Sequence, residues 1–323
     1  MLNILFAAPE SSWGGFLGII REQLPQHRFK ATGRFAVDSL AGFDVLIPTM
    51  CPVTHQMLQQ SNQLKLIQQC GSGLEGVDIE AAVEKGIMVA NVPTGISGNA
   101  ASVAELGIYL MIGLCRDVHG MARSLEARKM GQPQGRALSG QTVGLVGLGG
   151  IGRALVKRLR GFNVRIMGIK NSNLSAVKSE LELDWVGGPD QLPDLLEQSD
   201  IVFLCLPVTP QSIGLINRDA LSRMKPTAFL INLSRGGLVS RDALETALAD
   251  GTIAGAGLDG FWDEPPDPDD PIFGYNVLAT PHIGGSTDLS MQGIVKGVAE
   301  HIRRHEAGRI PLNCAHPWPK SKR

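Results

Sequence analysis

Residues 142–156 have the sequence TVGLVGLGGIGRALV. Gly147, Gly149 and Gly152 follow G-x-G-x-x-G spacing, with an apolar run before them and a helix-like run after them. Glycines let the backbone turn sharply and approach a pyrophosphate, whose charge then lies against the amides and positive dipole end of the following helix. Because a strand and a helix flank the glycines, the stretch predicts a dinucleotide site. The alternative is a tight turn that binds nothing.

Short apolar runs alternate with helix-like segments on both sides of this stretch, and this alternation predicts an α/β fold with parallel sheets. Downstream, the predicted strands are Thr142–Val146, Val164–Ile169, Ile201–Leu206, Ala228–Leu233, Gly255–Asp259 and Val277–Thr280. The predicted helices between them are Ile151–Leu159, Leu192–Gln198 and Arg241–Asp250. Upstream, the predicted strands are Leu2–Ala7, Val45–Pro48, Leu64–Gln68 and Ile87–Val89.

With 323 residues, the chain exceeds what one hydrophobic core usually supports, so we expect two domains. The most helix-like segment before the glycines is Ala100–Val118, and Ser102 and Glu105 have capping-box spacing that predicts its start. This helix is expected to join the domains. Ser290–His305 is again helix-like after the last predicted strand, so we expect it to return to the first domain and leave a hinged cleft between the two.

Composition limits the classes of partner. Thirty basic and 31 acidic side chains give a formal charge of -1, so no global field favours nucleic acid or an anionic membrane surface. The chain begins without a basic leader, and no run of about 18 apolar residues occurs. Five scattered cysteines without C-x-x-C spacing fit a reducing compartment, so the sequence predicts a cytoplasmic protein. No cluster has metal-ligand spacing, and we expect no catalytic metal.

Three charged side chains follow three predicted strands. Arg235 follows Ala228–Leu233, Glu264 lies in the segment after Gly255–Asp259, and His282 follows the strand that ends at Thr280. Ligands of open α/β sheets bind beyond the carboxyl ends of the strands, so we expect the three to converge. Such a set suits the reduction of a 2-keto acid. The arginine would hold the substrate carboxylate, the histidine would donate a proton, and the acid would favour the imidazolium form of the histidine. Taken singly, each could instead be a surface or turn residue.

The chain resembles the D-isomer-specific 2-hydroxyacid dehydrogenases, which include phosphoglycerate, glyoxylate and hydroxypyruvate reductases. The resemblance covers nearly the whole chain. Its motifs are Gly71-Ser-Gly-Leu-Glu-Gly-Val-Asp78, Asn99-Ala-Ala-Ser-Val-Ala-Glu105, Gly147 to Gly152, Leu206-Pro-Val-Thr-Pro210, Asn232-Leu-Ser-Arg-Gly-Gly-Leu-Val239, Gly257-Leu-Asp259 with Glu264-Pro265, and Thr280-Pro-His-Ile-Gly284. The resemblance implies a flavodoxin-like substrate-binding domain, residues 1–99 and 287–323, and a Rossmann dinucleotide-binding domain, residues 100–286.

The resemblance also implies roles for single residues. It makes Arg235 the substrate-carboxylate arginine, Glu264 the acid paired with the histidine, and His282 the proton donor and acceptor. The backbone near Ser72 and Gly73 would hold the substrate carboxylate, and Leu74 would help to shape the pocket. The implied cofactor-binding residues are Ser102, Gly147, Gly149, Gly150, Ile151, Gly152, Lys170, Asn171, Pro207, Thr209, Ser234 and Asp259, of which Asp259 would contact the nicotinamide carboxamide.

Lys170 bears on the choice between NADP and NAD. NAD-binding domains of this type place an acid on the ribose hydroxyls about twenty residues beyond the glycines. Here the strand runs into Lys170-Asn171-Ser172, and no Asp or Glu occurs between Arg153 and Ser179. Lysine acts as a point charge on phosphate, so the sequence favours NADP with a partial preference. The alternative is a solvated lysine and an NAD enzyme.

The sequence therefore predicts an NAD(P)-dependent D-2-hydroxyacid dehydrogenase that reduces a small 2-keto acid, in the manner of a glyoxylate/hydroxypyruvate reductase. The resemblance also implies a homodimer that pairs through the nucleotide domain. A non-enzymatic NAD(P)-binding sensor, such as the corepressors that share this fold, is the main alternative. A nucleotide-binding module of another reductase family would leave the placement of Arg235, Glu264 and His282 unexplained.

Overall fold

The computed structural model describes residues 1–316 and divides the chain into two compact units. Unit 1 comprises Met1–Asn99 and Ser286–Arg323, of which residues 286–316 are described, and unit 2 comprises Ala100–Gly285. The chain therefore leaves unit 1, forms unit 2 from one continuous segment and then returns. That unit 1 binds substrate and unit 2 the dinucleotide stays a prediction.

The elements alternate along the chain. The strands are β1 (Asn3–Phe6), β2 (Arg28–Ala31), β3 (Val45–Ile47), β4 (Leu66–Gln68), β5 (Met88–Ala90), β6 (Thr142–Val146), β7 (Arg165–Ile169), β8 (Trp185–Gly187), β9 (Ile201–Leu204), β10 (Phe229–Asn232), β11 (Gly255–Leu258) and β12 (Val277–Ala279). The helices are α1 (Ser12–Gln23), α2 (His55–Gln59), α3 (Ile79–Glu84), α4 (Asn99–Arg116), α5 (Val118–Glu126), α6 (Gly150–Leu159), α7 (Leu174–Glu180), α8 (Leu192–Gln198), α9 (Arg218–Ser222), α10 (Arg241–Ala249) and α11 (Asp288–Glu306).

In the described part of unit 1, five parallel strands form a sheet in the order β2-β1-β3-β4-β5. This is the flavodoxin-like order, in which the direction of winding reverses beside the first strand. One face packs on a cluster that includes Phe6, Phe16 and, from α11, Val298 and Ile302. The returning helix therefore completes the core of unit 1.

In unit 2, seven parallel strands form a sheet in the order β12-β11-β10-β9-β6-β7-β8. The winding reverses between β6 and β9, so the glycine turn after β6 lies at the switch point, where open α/β sheets bind their ligands. Strands such as β9 are buried along their whole length, with apolar clusters on both faces. Continuous apolar runs are typical of parallel strands covered on both sides.

The structure confirms the predicted fold class of two parallel-sheet α/β domains, while several elements differ. The predictions omitted β2 and β8, which are short edge strands with partly exposed residues. The predicted start at Ser102 is wrong, because α4 already begins at Asn99 and Ser102 is buried within it. The single helix predicted over Ala100–Val118 ends at Arg116, since Asp117 has a φ of 49° and its side chain accepts a hydrogen bond from Gly120 at the start of α5.

Candidate active site

The predicted dinucleotide turn lies between β6 and α6. Gly147 has a φ of 103°, and a Cβ there would lie 2.8 Å from a carbonyl oxygen that follows β9. A Cβ on Gly152 would lie 2.2 Å from the carbonyl oxygen of Gly147. Gly149 is the N-cap of α6, and Gly150 and Ile151 are its first residues. The turn excludes side chains at two glycines and presents first-turn amides, so these residues fit a bound pyrophosphate.

The next strand of the sheet places a cation at the edge of this turn. Lys170 directly follows β7, and its amide donates a hydrogen bond to the carbonyl oxygen of Gly187 in β8 at 3.0 Å. The side chain of Lys170 is partly exposed, and Asn171 is exposed. β7 pairs with β6 along its whole length. Lys170 and Asn171 therefore lie at the strand end where this fold holds the adenosine ribose.

The loop after β9 contains Pro207 and Thr209 and is held by one buried hydroxyl. Ser212 Oγ donates to the carbonyl oxygen of Pro207 at 2.9 Å and accepts from the amide of Thr209 at 2.8 Å. Ser212 was not among the predicted site residues, although a Thr-x-x-Ser spacing in a turn is a signal for such bonds. The loop that contains the predicted cofactor-binding residues Pro207 and Thr209 therefore has a backbone held by hydrogen bonds.

His282 and Glu264 form a direct pair. The Nδ1 atom of His282 lies 2.9 Å from Oε1 and 2.8 Å from Oε2 of Glu264. An ionised carboxylate can only accept hydrogen bonds, so Nδ1 carries the proton and Nε2 is left for another partner. The side chain of His282 is 31% exposed and that of Glu264 17% exposed, so the histidine is the more accessible member.

The surroundings of Glu264 keep it ionised. Burial by itself would raise the pKa of this carboxyl, but hydrogen bonding to His282, the bond from the amide of Phe261 and the charge of Arg235 together outweigh it. The pKa of Glu264 therefore lies below its ordinary value. The acid remains a carboxylate near neutral pH and can stabilise a positive charge on the imidazole.

Arg235 reaches the same place from the neighbouring loop. It follows β10 with extended backbone, and its carbonyl oxygen accepts a bond from the buried side chain of Asn232 at 2.8 Å. A Cβ on Gly236 would lie 2.2 Å from the carbonyl carbon of Phe261, so the two loops touch backbone to backbone. The backbone contact brings the Arg235 loop against the Glu264 loop, and the charge of Arg235 acts on Glu264, so Arg235 lies near the pair that Glu264 and His282 form.

Asp259 braces the turn that carries the histidine. Its buried carboxylate accepts hydrogen bonds from the amides of Ile283 and Gly284, both at 2.9 Å, and from the hydroxyl of Thr280 at 2.7 Å. His282 has a φ of 53°, a conformation that needs support from its surroundings. Asp259 thus fixes the position of His282, while its predicted contact with nicotinamide stays a prediction.

The predicted residues of unit 1 lie in the loop after β4. Asn91 Nδ2 donates to the carbonyl oxygen of Ser72 at 2.6 Å, and Leu74 packs on a buried cluster of this unit. At the start of the loop, the side chain of Gln69 bonds to the carbonyl oxygen of Thr49 and to the amide of Cys70, both at 2.9 Å. The loop that contains Ser72, Gly73 and Leu74 is therefore held by hydrogen bonds at its start and by the packing of Leu74.

The remaining predicted cofactor residues differ in setting. Ser234 Oγ donates to the carbonyl oxygen of Leu204 at 3.3 Å, which places it beside the end of β9. Ser102 is buried within α4. Sequence reasoning missed the bracing side chains of Asn232, Ser212 and Gln69, because their role depends on which backbone groups meet in the folded chain.

Residues 1–316, which the structure describes, contain no group of three or more His, Cys, Asp and Glu side chains placed to hold a metal ion. No helix among them has the length and apolar character needed to cross a membrane. Burial raises the pKa of the Cys70 thiol, next to the predicted substrate loop, to about 12, so this cysteine is protonated and a weak nucleophile.

Comparison with known sequences gives consistent relatives. The family described as D-isomer specific 2-hydroxyacid dehydrogenase, NAD binding domain, matches residues 108–284. A D-3-phosphoglycerate dehydrogenase of Methanocaldococcus jannaschii is 35% identical over 264 residues, which cover 81% of this chain but 49% of that protein. A glyoxylate reductase of Pyrococcus horikoshii is 35% identical over 268 residues, which cover 80% of this chain and 78% of the relative. The chain thus spans about half the length of the first relative and most of the second.

Solved structures resemble the chain along its whole length. One is described as a D-isomer specific 2-hydroxyacid dehydrogenase from Polaromonas, with a TM-score of 0.85, 27% identity, and coverage of 98% of this chain and 100% of that one. Another is an NADPH-dependent glyoxylate/hydroxypyruvate reductase from Sinorhizobium meliloti in complex with NADP and malonate, with a TM-score of 0.84, 26% identity, and coverage of 100% and 99%. The glycine turn, the Arg-Glu-His group and these relatives together show that the chain belongs to the D-isomer specific 2-hydroxyacid dehydrogenase family.

Proposed function

We propose that this protein reduces a small 2-keto acid to the D-2-hydroxy acid with a nicotinamide cofactor. The observation that supports this most strongly is the contact between His282 Nδ1 and Glu264, with Arg235 close enough to lower the pKa of the same carboxyl. An anion-binding guanidinium beside an oriented proton donor suits a substrate that has a carboxylate next to a carbonyl group. The cofactor, when bound at the glycine turn, supplies the hydride.

Each of the three side chains has a distinct task in this proposal. Arg235 binds the substrate carboxylate with two parallel N–H groups and so fixes the orientation of the keto carbon. His282 donates its Nε2 proton to the keto oxygen as that oxygen gains negative charge. Glu264 accepts the Nδ1 proton in a hydrogen bond, which orients the ring and favours the protonated imidazole that reduction requires.

The cofactor proposed is NADPH, with NADH as the weaker alternative. Lys170 at the end of β7 offers a positive charge where an NAD-specific domain of this type has an acid on the ribose hydroxyls. A lysine attracts phosphate as a point charge without the paired geometry of arginine, so the preference for NADPH should be partial. Similar solved structures are described with NADP and with NAD, so the proposed preference rests on Lys170.

The relatives favour an enzyme over a nucleotide sensor and indicate the substrate class. Glyoxylate reductases align over most of their length, whereas the phosphoglycerate dehydrogenase aligns over about half of its own. Glyoxylate and hydroxypyruvate are therefore the first substrates to test. We further propose that residues 1–99 and 287–323 bind the substrate through the backbone at Ser72 and Gly73, and that residues 100–286 bind the cofactor.

A homodimer that pairs through unit 2 also belongs to this proposal. In and just after α5, three large apolar side chains are exposed: Met121 by 42%, Leu125 by 78% and Met130 by 89%. Exposed apolar side chains that cluster on one region are typical of an interface between subunits. Sedimentation or light scattering of the purified protein tests the pairing. The cytoplasmic location stays a prediction from the cysteine pattern.

The decisive experiment is an absorbance assay of the purified protein with glyoxylate, hydroxypyruvate and pyruvate, each with NADPH and with NADH. We expect the enzyme to consume NADPH, with a kcat/KM higher than the value for NADH. The product from hydroxypyruvate should have the D configuration. Arg235→Ala should lower kcat/KM by roughly a hundredfold or more, and Arg235→Lys should recover part of the loss because it restores charge without the planar fork. Cofactor binding without turnover of any 2-keto acid would instead favour the sensor.

A further inference from the structure

An ion pair lies beside the strand end that carries Lys170. Arg153 directly follows Gly152 in the first part of α6, and its guanidinium forms a hydrogen-bonded ion pair with the carboxylate of Glu180. Glu180 is the last residue of α7, the helix that follows β7 and Lys170 in the chain. The Glu180 carboxylate therefore links α6, which follows the glycine turn, to α7, which follows Lys170 in the chain.

Two cations act on this one carboxylate. The hydrogen bond from Arg153 is the main reason that the pKa of Glu180 lies below its ordinary value, and the charge of Lys170 acts in the same direction. The side chain of Glu180 is 58% exposed and that of Arg153 is 36% exposed, so water and an entering ligand can reach the pair. Arg153 and Lys170 thus form a positive region in which Glu180 is the anion already present.

We propose that Glu180 is a specificity-determining residue that limits the preference for NADPH, by occupying the positive region of Arg153 and Lys170 that a 2′-phosphate would enter. This inference rests on the proposed use of Lys170 as the phosphate-binding cation. A 2′-phosphate has about two negative charges at neutral pH and needs charged hydrogen-bond donors. It therefore competes with the Glu180 carboxylate for Arg153, and the negative charge of Glu180 repels it. The ribose hydroxyl of NADH carries no charge, and its binding does not depend on separating the pair.

The test uses Glu180→Gln, which removes the charge and retains the shape of the side chain. Calorimetric titration measures the Kd of 2′,5′-ADP and of 5′-AMP, which differ in the 2′-phosphate alone, and then the Kd of NADPH and NADH. We expect Glu180→Gln to tighten 2′,5′-ADP and NADPH by roughly two- to fivefold, the range for an exposed ion pair, and to leave 5′-AMP and NADH unchanged. The gain should shrink as salt is added.

Glu182→Gln is the matched control. Glu182 lies two residues further along and pairs with Arg160 at 2.8 Å, with its side chain 74% exposed, so its loss removes one surface charge without touching Arg153. It should leave the ratio of the two Kd values as in the unaltered protein. An equal gain in Glu182→Gln would mean that overall charge is responsible, and the proposal would then be wrong.

Two further variants separate this inference from the cofactor proposal. Lys170→Ala should weaken 2′,5′-ADP and leave 5′-AMP unchanged, and if it does not, Lys170 is not the phosphate-binding cation and the cofactor proposal fails. If Lys170→Ala has this effect but Glu180→Gln leaves 2′,5′-ADP unchanged or weakens it, the role of Glu180 alone is refuted. In an Arg153→Ala background, Glu180→Gln should increase the affinity for 2′,5′-ADP less than it does in the unaltered protein. The reason is that the carboxylate and the phosphate no longer compete for the guanidinium.

Discussion

At the scale of single residues, the pair of Glu264 and His282 controls the pH dependence of the proposed reduction. Glu264 is ionised and contacts Nδ1 of the ring, so it stabilises a protonated imidazole, which is the proposed donor to the keto oxygen. Glu264→Gln keeps the size of the side chain and removes the charge. The pH above which kcat/KM for reduction declines should therefore move to lower pH, as measured in a pH profile with saturating cofactor. Superimposable profiles would contradict the pairing.

Asp259 offers a second test at this scale, on stability as well as activity. Its two oxygens accept from the amides of Ile283 and Gly284 and from the Thr280 hydroxyl, and the residue is buried. Asp259→Asn leaves one acceptor oxygen, so at least one buried donor loses its partner, at a cost of about 1–3 kcal/mol in the free energy of unfolding. Urea denaturation measures this. Because the same bonds hold the His282 turn, kcat should fall as well. If both kcat and stability were unchanged, Asp259 would not be needed to position that turn.

The pairing of Glu264 with His282 was predictable because each follows a predicted strand within a family motif, while the roles of Arg235, Glu264 and His282 in the reaction stay predictions. The braces were not predictable, because a hydrogen bond from Asn232 to the Arg235 carbonyl depends on the three-dimensional path of the loop. Glu180 was overlooked for a similar reason. It lies one position beyond the acid-free segment after Arg153, and only the folded chain brings it back to that arginine.

At the scale of elements, the connection from β6 to α6 can be tested with one methyl group. A Cβ on Gly152 would lie 2.2 Å from the Gly147 carbonyl oxygen, a backbone atom that cannot move without distorting the turn. Gly152→Ala should weaken binding of both NADPH and NADH by about tenfold or more, because the first-turn amides move away from the pyrophosphate. Calorimetry or cofactor fluorescence measures this.

Gly161→Ala provides the control for that substitution. Gly161 lies in the 3₁₀ turn after α6, and a Cβ there has no neighbour within 4 Å among the contacts of the structure. This variant should bind both cofactors as the unaltered protein does. If Gly152→Ala also retained its affinity, the close approach of helix and strand would have no part in binding the dinucleotide.

Most strands were predictable because a strand that is buried on both faces has a continuous apolar sequence, as β6 and β9 do. β2, with the sequence RFKA, lies at a sheet edge and alternates exposed and partly buried residues, so it gives no such signal. The break between α4 and α5 was also hidden. It depends on a left-handed Asp117, a conformation that the surrounding apolar pattern does not reveal.

At the scale of the whole molecule, buried histidines should make the fold sensitive to mild acid. Burial lowers the pKa of His27 and of His301 from the ordinary 6.5, although Glu306 near His27 opposes this. Above that value the histidines are neutral in both folded and unfolded chains, and the protein has its full stability. As the pH falls below 6.5, the histidines of the unfolded chain take up protons before those of the folded chain. The free energy of unfolding therefore decreases until the pH reaches the lower pKa of the histidines in the folded state.

Urea denaturation at about pH 8 and about pH 5.5 measures this effect, with a lower midpoint expected in acid. His301→Gln, whose side chain does not titrate, should reduce the difference between the two midpoints. Since His301 lies on α11 within unit 1 and bonds to Gln68 of β4 at 2.9 Å, this variant should be less stable than the unaltered protein at the higher pH. Equal midpoints at both pH values would show that these histidines do not control acid stability.

The fold class was predictable from the alternation of apolar runs and helices along the chain, and the family from motifs spread over it. The preferred 2-keto acid was not, because it depends on the volume of the substrate pocket rather than on the identity of side chains such as Leu74 alone.

The return of α11 to unit 1 has a consequence for biosynthesis. Residues 1–99 emerge from the ribosome first, yet Val295, Val298, Ala299 and Ile302 of α11 complete the core that surrounds Ile4 and Phe6. The nascent N-terminal segment therefore stays unfinished while residues 100–285, which are continuous in the chain, have already been translated. The second unit translated can mature before the first.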